Sequence, residues 1–151
     1  TPRRILMAII GGAGNPVGNS FTGPAEALEI IGDHAYAYSG MFEGSNTSQQ
    51  AFNFTTGNYY FVGDIQVNMA YEYDASGTPS ALATQLRISL NDNNIAQLIA
   101  GLIGSDSQVS VSQPVIIPPY TKVVVDIVGD ANESTRLMGS TMTGRIYRTR
   151  D

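Results

Sequence analysis

A chain of 151 residues has the length of one ordinary domain and can bury a core without a metal or a cross-link to hold it. It contains no cysteine, which excludes disulfides, thiolate metal sites and cysteine nucleophiles, and no run approaches the 18 or so apolar residues of a membrane-spanning helix. Charged residues make up only 14%, against roughly 25% in a typical soluble domain, with a net charge of -5.

Residues 1–33 read as an N-terminal arm. The apolar run ILMAII runs into GGAGNPVGNSFTG, and PAEALEIIGD then has the marks of a short helix. Pro24 suits a first helical position, Glu26 and Glu29 lie near the positive end of the dipole, and Gly32 is a natural stop. Gly12, Gly14 and Gly18 after an apolar segment imitate a dinucleotide-binding turn, but NPVGNSFTGP cannot open the helix that such a turn needs. As a secretion signal the apolar part is too short. An arm that lays Ile5, Leu6, Met7, Ile9 and Ile10 against a neighbouring subunit accounts for the oily run.

From His34 to residue 151 the texture is that of a β-sandwich. HAYAYSGMFEG, QQAFNFTTG and NYYFVGDIQVNMAYEYD alternate, with Gly63 marking a bulge or a close approach. DASGTPS is a turn cluster; ALATQLRISL alternates cleanly and NDNN closes it as a tight turn. IAQLIAGLIG is a strand or a short helix. QVSVSQ, PVII and TKVVVDIVG follow, the last two separated by Pro118-Pro119, and LMGSTMTGRIYR is the final strand. About eight short strands with turn chemistry every eight to twelve residues predict an all-β antiparallel sandwich or barrel.

Candidate chemistry is sparse. His34 is the only histidine, so no histidine cluster can hold a metal and at most one imidazole could act as a base. Asp126 and Asp130 as an acid and base pair compete with the ordinary use of Asp in the turn GDANES. DASG, NDNN and GDAN are oxygen-rich but lack a calcium-loop pattern. We therefore expect no enzyme, no cofactor and no bound metal. Five of the eight basic residues lie near the ends (Arg3, Arg4, Arg145, Arg148 and Arg150), too sparse a stripe for nucleic acid and better suited to contact with another subunit. Asn46, Asn53 and Asn132 stand in glycosylation sequons. Tyr36, Tyr38, Tyr59, Tyr60, Tyr71, Tyr73 and Tyr120 could line a sugar-binding face or serve as sheet-surface contacts; Tyr59, Tyr71, Tyr73, Tyr120, Arg145 and Arg148 are the candidate subunit contacts.

FNFTTGNYYFVGDIQV, residues 52–67, resembles a central strand of the single jelly rolls of the C1q and tumour-necrosis-factor type, where a Thr-Gly or Ser-Gly turn leads into a Tyr-Tyr-Phe strand. LRISLND and MTGRIY fall in the order of two further strands of that group, and the likeness covers about residues 48–148. IIPPYTKVVVDI, with its proline-pinned start, is more similar to virion jelly rolls and phage decoration proteins. The resemblance implies an eight-stranded jelly roll that associates as a trimer or a larger shell. It gives two expectations. One is a virion structural protein, a small capsid subunit or decoration protein, that assembles with its own copies and with other virion proteins through uncharged faces and the arm. The other is an extracellular trimeric recognition module that binds a glycan or a receptor.

Overall fold

In a computed structural model the described residues are 25, 27–71, 82–102, 108–130 and 132–148. They form nine strands: β1 (Glu29–Ile31), β2 (His34–Gly44), β3 (Gln49–Thr55), β4 (Tyr59–Tyr71), β5 (Leu82–Leu90), β6 (Asn93–Leu102), β7 (Gln108–Ile117), β8 (Lys122–Gly129) and β9 (Glu133–Arg148). One sheet has the order β1-β2-β9-β4-β7 and the other β3-β8-β5-β6. All the strand pairs are antiparallel: β2 with β9, β3 with β8, β4 with β7 and β5 with β6. The chain is thus one long double ribbon, with its tip at the β5–β6 turn, rolled until β4 meets β9 and β5 meets β8. That is the jelly roll expected from the sequence, with β1 added as a ninth strand.

The tip turn explains why the ribbon folds back there. Asn91 and Asp92 have φ values of 49 and 67°, the conformation of a two-residue hairpin loop that Asn and Asp tolerate. The Asn91 side chain then accepts the Lys122 amide at 2.9 Å, and the Lys122 ammonium meets Asp92 at 3.0 Å. The tip is held to the start of β8.

Alternation sorts the residues between core and surface. Phe61, Ile65, Val67 and Met69 of β4, Met138, Met142 and Ile146 of β9, and Phe52, Leu86, Ile88, Val123, Val125 and Ile127 of the other sheet are buried between the two layers. Gly63 is a close approach and not a bulge, because β4 runs through it in unbroken register. It faces Gly144 across the ladder. A Cβ built on either would lie 2.8 Å from Cζ of Phe61, so the two glycines leave the space into which that ring lies. The bulge sits in β2 instead, where the register shifts between Tyr38 and Met41 and Gly40 has φ of 74°. Ser39, at this bulge, accepts the Ser140 amide through its hydroxyl at 2.9 Å.

Two expectations are corrected and one open alternative is settled. The segment before residue 34 is not helical where it is described: Glu29–Ile31 pairs with β2, and Gly32, at φ of 65°, makes a hairpin turn where a helix stop was read. Of IAQLIAGLIG, read as a strand or a short helix, the described residues 95–102 are strand, in β6. QVSVSQ and PVII are one strand, β7, for its outer position in the sheet tolerates Pro114, whose missing N–H is no loss on an edge. The rest of the arm, with Ile5, Leu6, Met7, Ile9 and Ile10, lies outside the described residues.

Candidate functional site

The outer face of the five-stranded sheet gathers the exposed aromatic and polar side chains of β2, β4, β7 and β9. Register places its outward residues in rows. His34, Arg145, Val62 and Ile116 form one; Tyr36, Thr143, Asp64 and Pro114 the next; and Tyr38, Thr141, Gln66 and Ser112 a third. Tyr60 and Tyr147 oppose each other beyond the first row, both exposed. Four strands at about 4.8 Å spacing make this face roughly 14 Å wide. The Tyr36 and Tyr38 rings, two residues apart on β2, lie 5.1 Å apart at their centroids and are tilted by 39°. On the far side of β9 from them, a shallow depression on β4 and β7 is lined by Val62, Asp64, Pro114 and Ile116. Thr143 and Thr141 of β9 adjoin the two tyrosines on one side, and Glu29 of β1 pairs with Tyr36 on the other.

Charge on this face is sparse: Asp64 stands within the second row, and the rest gathers at the margin beside the β1–β2 turn. Asp33, in the β1–β2 turn, stands 3.4 Å from the Arg145 guanidinium and 3.6 Å from His34. These groups are exposed and screened, so the pairs orient the turn more than they stabilise it. Among the described residues, no three His, Asp or Glu side chains converge as a metal site.

The end of the sandwich near residues 56 and 120 is stitched by one hydroxyl. Thr56 is buried; its Oγ1 donates to the Pro118 carbonyl at 2.8 Å and accepts the Thr121 amide at 2.8 Å, while its own amide donates to the Thr121 carbonyl at 2.9 Å. Tyr120, whose backbone N–H donates a hydrogen bond to the Gly57 carbonyl at 3.1 Å, has φ of 54° and is 67% exposed. A bulky residue in the left-handed region is strained, and the Thr56 stitch is what holds it there. Replacing Thr56 by valine keeps the shape but leaves the Thr121 amide and the Pro118 carbonyl without their partner, so the melting free energy should fall by about 1–3 kcal/mol. A calorimetric comparison of Thr56→Val with Thr56→Ser, which keeps the hydroxyl and should lose much less, checks this.

Of the residues proposed as contacts, Arg145, Arg148 and Tyr120 are exposed, and Arg145 is engaged with Asp33. Tyr59 is half-buried and packs against the core, with its ring over Gly57, so its neighbour Tyr60 is the one that faces outward. Tyr71 ends β4; its side chain, and all of Tyr73, lie outside the described residues. Tyr147 was not singled out by sequence reading, although its alternation with Ile146 in MTGRIYR carries the signal. Arg136, fully buried near the start of β9, gave no signal, because nothing local distinguishes an inward arginine from an outward one. The sequon residues Asn46, Asn53 and Asn132 are all exposed, and the Asn132 side chain accepts the Asn46 amide at 3.0 Å.

Fold and surface together define the class: a jelly-roll sandwich with an open, sparsely charged face that bears tyrosines. The chain matches no protein family and no curated protein. Among solved structures it is similar to a β-(1,4)-mannanase of Podospora anserina with GH26 and CBM35 parts, at 12% identity and a TM-score of 0.38 over 79% of this chain and 29% of that one. It is also similar to dimeric latent PorU from Porphyromonas gingivalis, at 12% identity and a TM-score of 0.42 over 92% of this chain and 15% of that one. The C-terminal domain of EclA, a sugar-binding protein, aligns at 12% identity and a TM-score of 0.29 over 78% of this chain and 79% of that one. The chain spans less than a third of the first two proteins. These likenesses are of the β-sandwich fold, and no capsid family is among them.

Proposed function

We propose that the chain is a non-catalytic, extracellular recognition module that binds a glycan on the outer face of its five-stranded sheet. The observation that carries this is the Tyr36–Tyr38 pair, standing on a sheet face with Thr141, Thr143, Asp64 and Gln66 in the same rows. Pyranose rings offer an apolar face to stack on aromatic carbon and a rim of hydroxyls to exchange hydrogen bonds. A sheet face with two rings at one side and short acceptors and donors in register suits both. Saturable binding on a glycan array, weakened at least about tenfold by Tyr36→Ala with Tyr38→Ala at an unchanged melting temperature, is the expected result; tenfold corresponds to about 1.4 kcal/mol. A chain that binds no glycan on a broad array, or binds equally well without both rings, would refute the reading.

A second reading, a structural subunit that assembles with its own copies, is favoured by a different observation. Val62, Ile116, Ile95 and Ile99 are exposed on or beside the edge strands β6 and β7, neither of which contains a charged residue. Uncharged apolar edges suit a chain packed beside others of its kind. A virion protein, either capsid subunit or decoration protein, is one form that such a subunit would take.

A further inference from the structure

Each sheet of a sandwich ends in two edge strands whose outward N–H and C=O groups invite another strand, and proteins guard such edges by shortening, covering or interrupting them. Three of the four edges here are guarded. β1 is three residues long. β3 is covered at its middle by Ala25, whose amide donates to the Ala51 carbonyl and whose carbonyl accepts the Asn53 amide, both at 2.9 Å. β7 carries Pro114, which has no N–H to offer. The fourth edge, β6, is ten residues long and has neither proline nor charge. Among the described residues, it pairs with β5 alone. A register shift confines its irregularity to the start, so that Ala96–Leu102 runs regularly against β5.

We propose that β6 is a strand-addition interface for a second copy of this chain, paired antiparallel with its own counterpart about a two-fold axis through Ile99. The occupant follows from the sequence of the regular segment, AQLIAGL, whose midpoint is Ile99. Antiparallel self-pairing about that point opposes Ile99 to Ile99 of the other copy on the outer face. It sets Leu98 against Ala100 on the core-facing side, large against small, and Gln97 against Gly101. Leu98 and Ala100 are buried whereas Ile99 is 67% exposed, more than Ile95 on the same strand. No like charges meet, because the strand has none. A Cβ at Gly101 would meet nothing within 4 Å, so the approach is clear there. Two four-stranded sheets would then join into one, the arrangement of an isologous dimer. The proposal gives the self-assembly reading a specific surface and rests on that reading; it is independent of glycan binding on the opposite sheet.

Three forms of the full chain test it: the unaltered protein, Ile99→Lys and Ile99→Cys. Sedimentation velocity of the unaltered protein should show a concentration-dependent dimer. Ile99→Lys, which puts two ammonium groups face to face at the axis, should raise the dimer dissociation constant at least about tenfold with an unchanged melting temperature. Directly opposed residues of an antiparallel pair have Cα atoms about 4.5–5.5 Å apart, within disulfide range. Since the chain has no cysteine, Ile99→Cys should cross-link to a covalent dimer under mild oxidation, whereas Ile116→Cys, at an equally exposed position on β7, should not. A monomer at all concentrations would overturn both this surface and the self-assembly reading. An oligomer indifferent to Ile99→Lys would leave self-assembly standing and remove β6 from it. An oligomer lost in Ile99→Lys without cross-linking of Ile99→Cys would overturn the two-fold register.

Discussion

Replacing Gly63 by valine should leave the chain without a cooperative thermal transition. A Cβ at this position presses into the Thr143 carbonyl oxygen and would sit 2.6 Å from the Gly144 Cα and 2.8 Å from the tip of Phe61. The first two contacts are with backbone of the adjoining strand β9, which cannot rotate away as a side chain can; relief requires parting β4 from β9 where their ladder is continuous from Tyr59 to Tyr71. Overpacking a core commonly costs about 1–3 kcal/mol, and a clash with ladder backbone belongs at or above the upper end of that range. Removing Phe61 at the same time should not rescue the variant, because the backbone contacts remain. Gly101→Ala is the control. Nothing lies within 4 Å of its Cβ, and its stability should stay within about 0.5 kcal/mol of the parent. Circular dichroism melts of the two variants decide the matter: a Gly63→Val protein that melts near the parent would mean that the two glycines do not seat Phe61.

How far such features could be read from the sequence depended on how local their causes are. Strand periodicity and turn chemistry are local, so ALATQLRISL and the Asn91-Asp92 tip could be read in place, as could the need for glycine at position 63. Choosing between bulge and close approach at Gly63 needed its partner, Gly144, which lies 81 positions away and has no local mark. The error at Glu29–Ile31 shows the opposite case. Proline, acidic residues and a terminal glycine are weak helix signals worth tenths of a kcal/mol each, and they yielded to the backbone hydrogen bonds that Glu29–Ile31 makes with β2. Gly32, read as a helix stop, has a positive φ and ends a strand.

The candidate site divides in the same way. Tyr36, Tyr38 and Tyr60 were visible as sheet-surface tyrosines, because alternation tells which residues share a face. Alternation does not tell which face is inward when both sides of a stretch are aromatic, and NYYF is such a stretch: Tyr59 turns towards the core and Tyr60 towards solvent. The rows that place Thr143 and Asp64 beside Tyr36 exist only through the register of β2, β9 and β4. The guard of each edge is likewise non-local. Pro114 can be read from sequence as an edge marker, but the cover that Ala25 gives to β3 depends on where residues before the sandwich are laid.

That cover sets up the second large effect. Phe52→Ala should lower stability by about 3–5 kcal/mol, the range for deleting a buried aromatic side chain, out of the 5–15 kcal/mol that a domain has in total. Phe52 is fully buried, lies beside the irregular step in β3, and opposes Val125 of β8. Its ring fills space between the sheets that Ala51 and Ala25, both fully buried, are too small to close. Near 150 residues each kcal/mol shifts the melting temperature by about 2–4 °C, so a fall of roughly 10 °C is expected. Phe52→Leu, which keeps most of the volume, should lose less than half as much. The two hydrogen bonds between Ala25 and β3 flank this ring, so the Asn53 amide, which donates to Ala25, should gain in hydrogen exchange beyond what the global loss accounts for. If the Asn53 amide exchanged only in step with amides of β4 and β9, the Ala25 cover would be independent of Phe52, and the guarding of the β3 edge would need another cause.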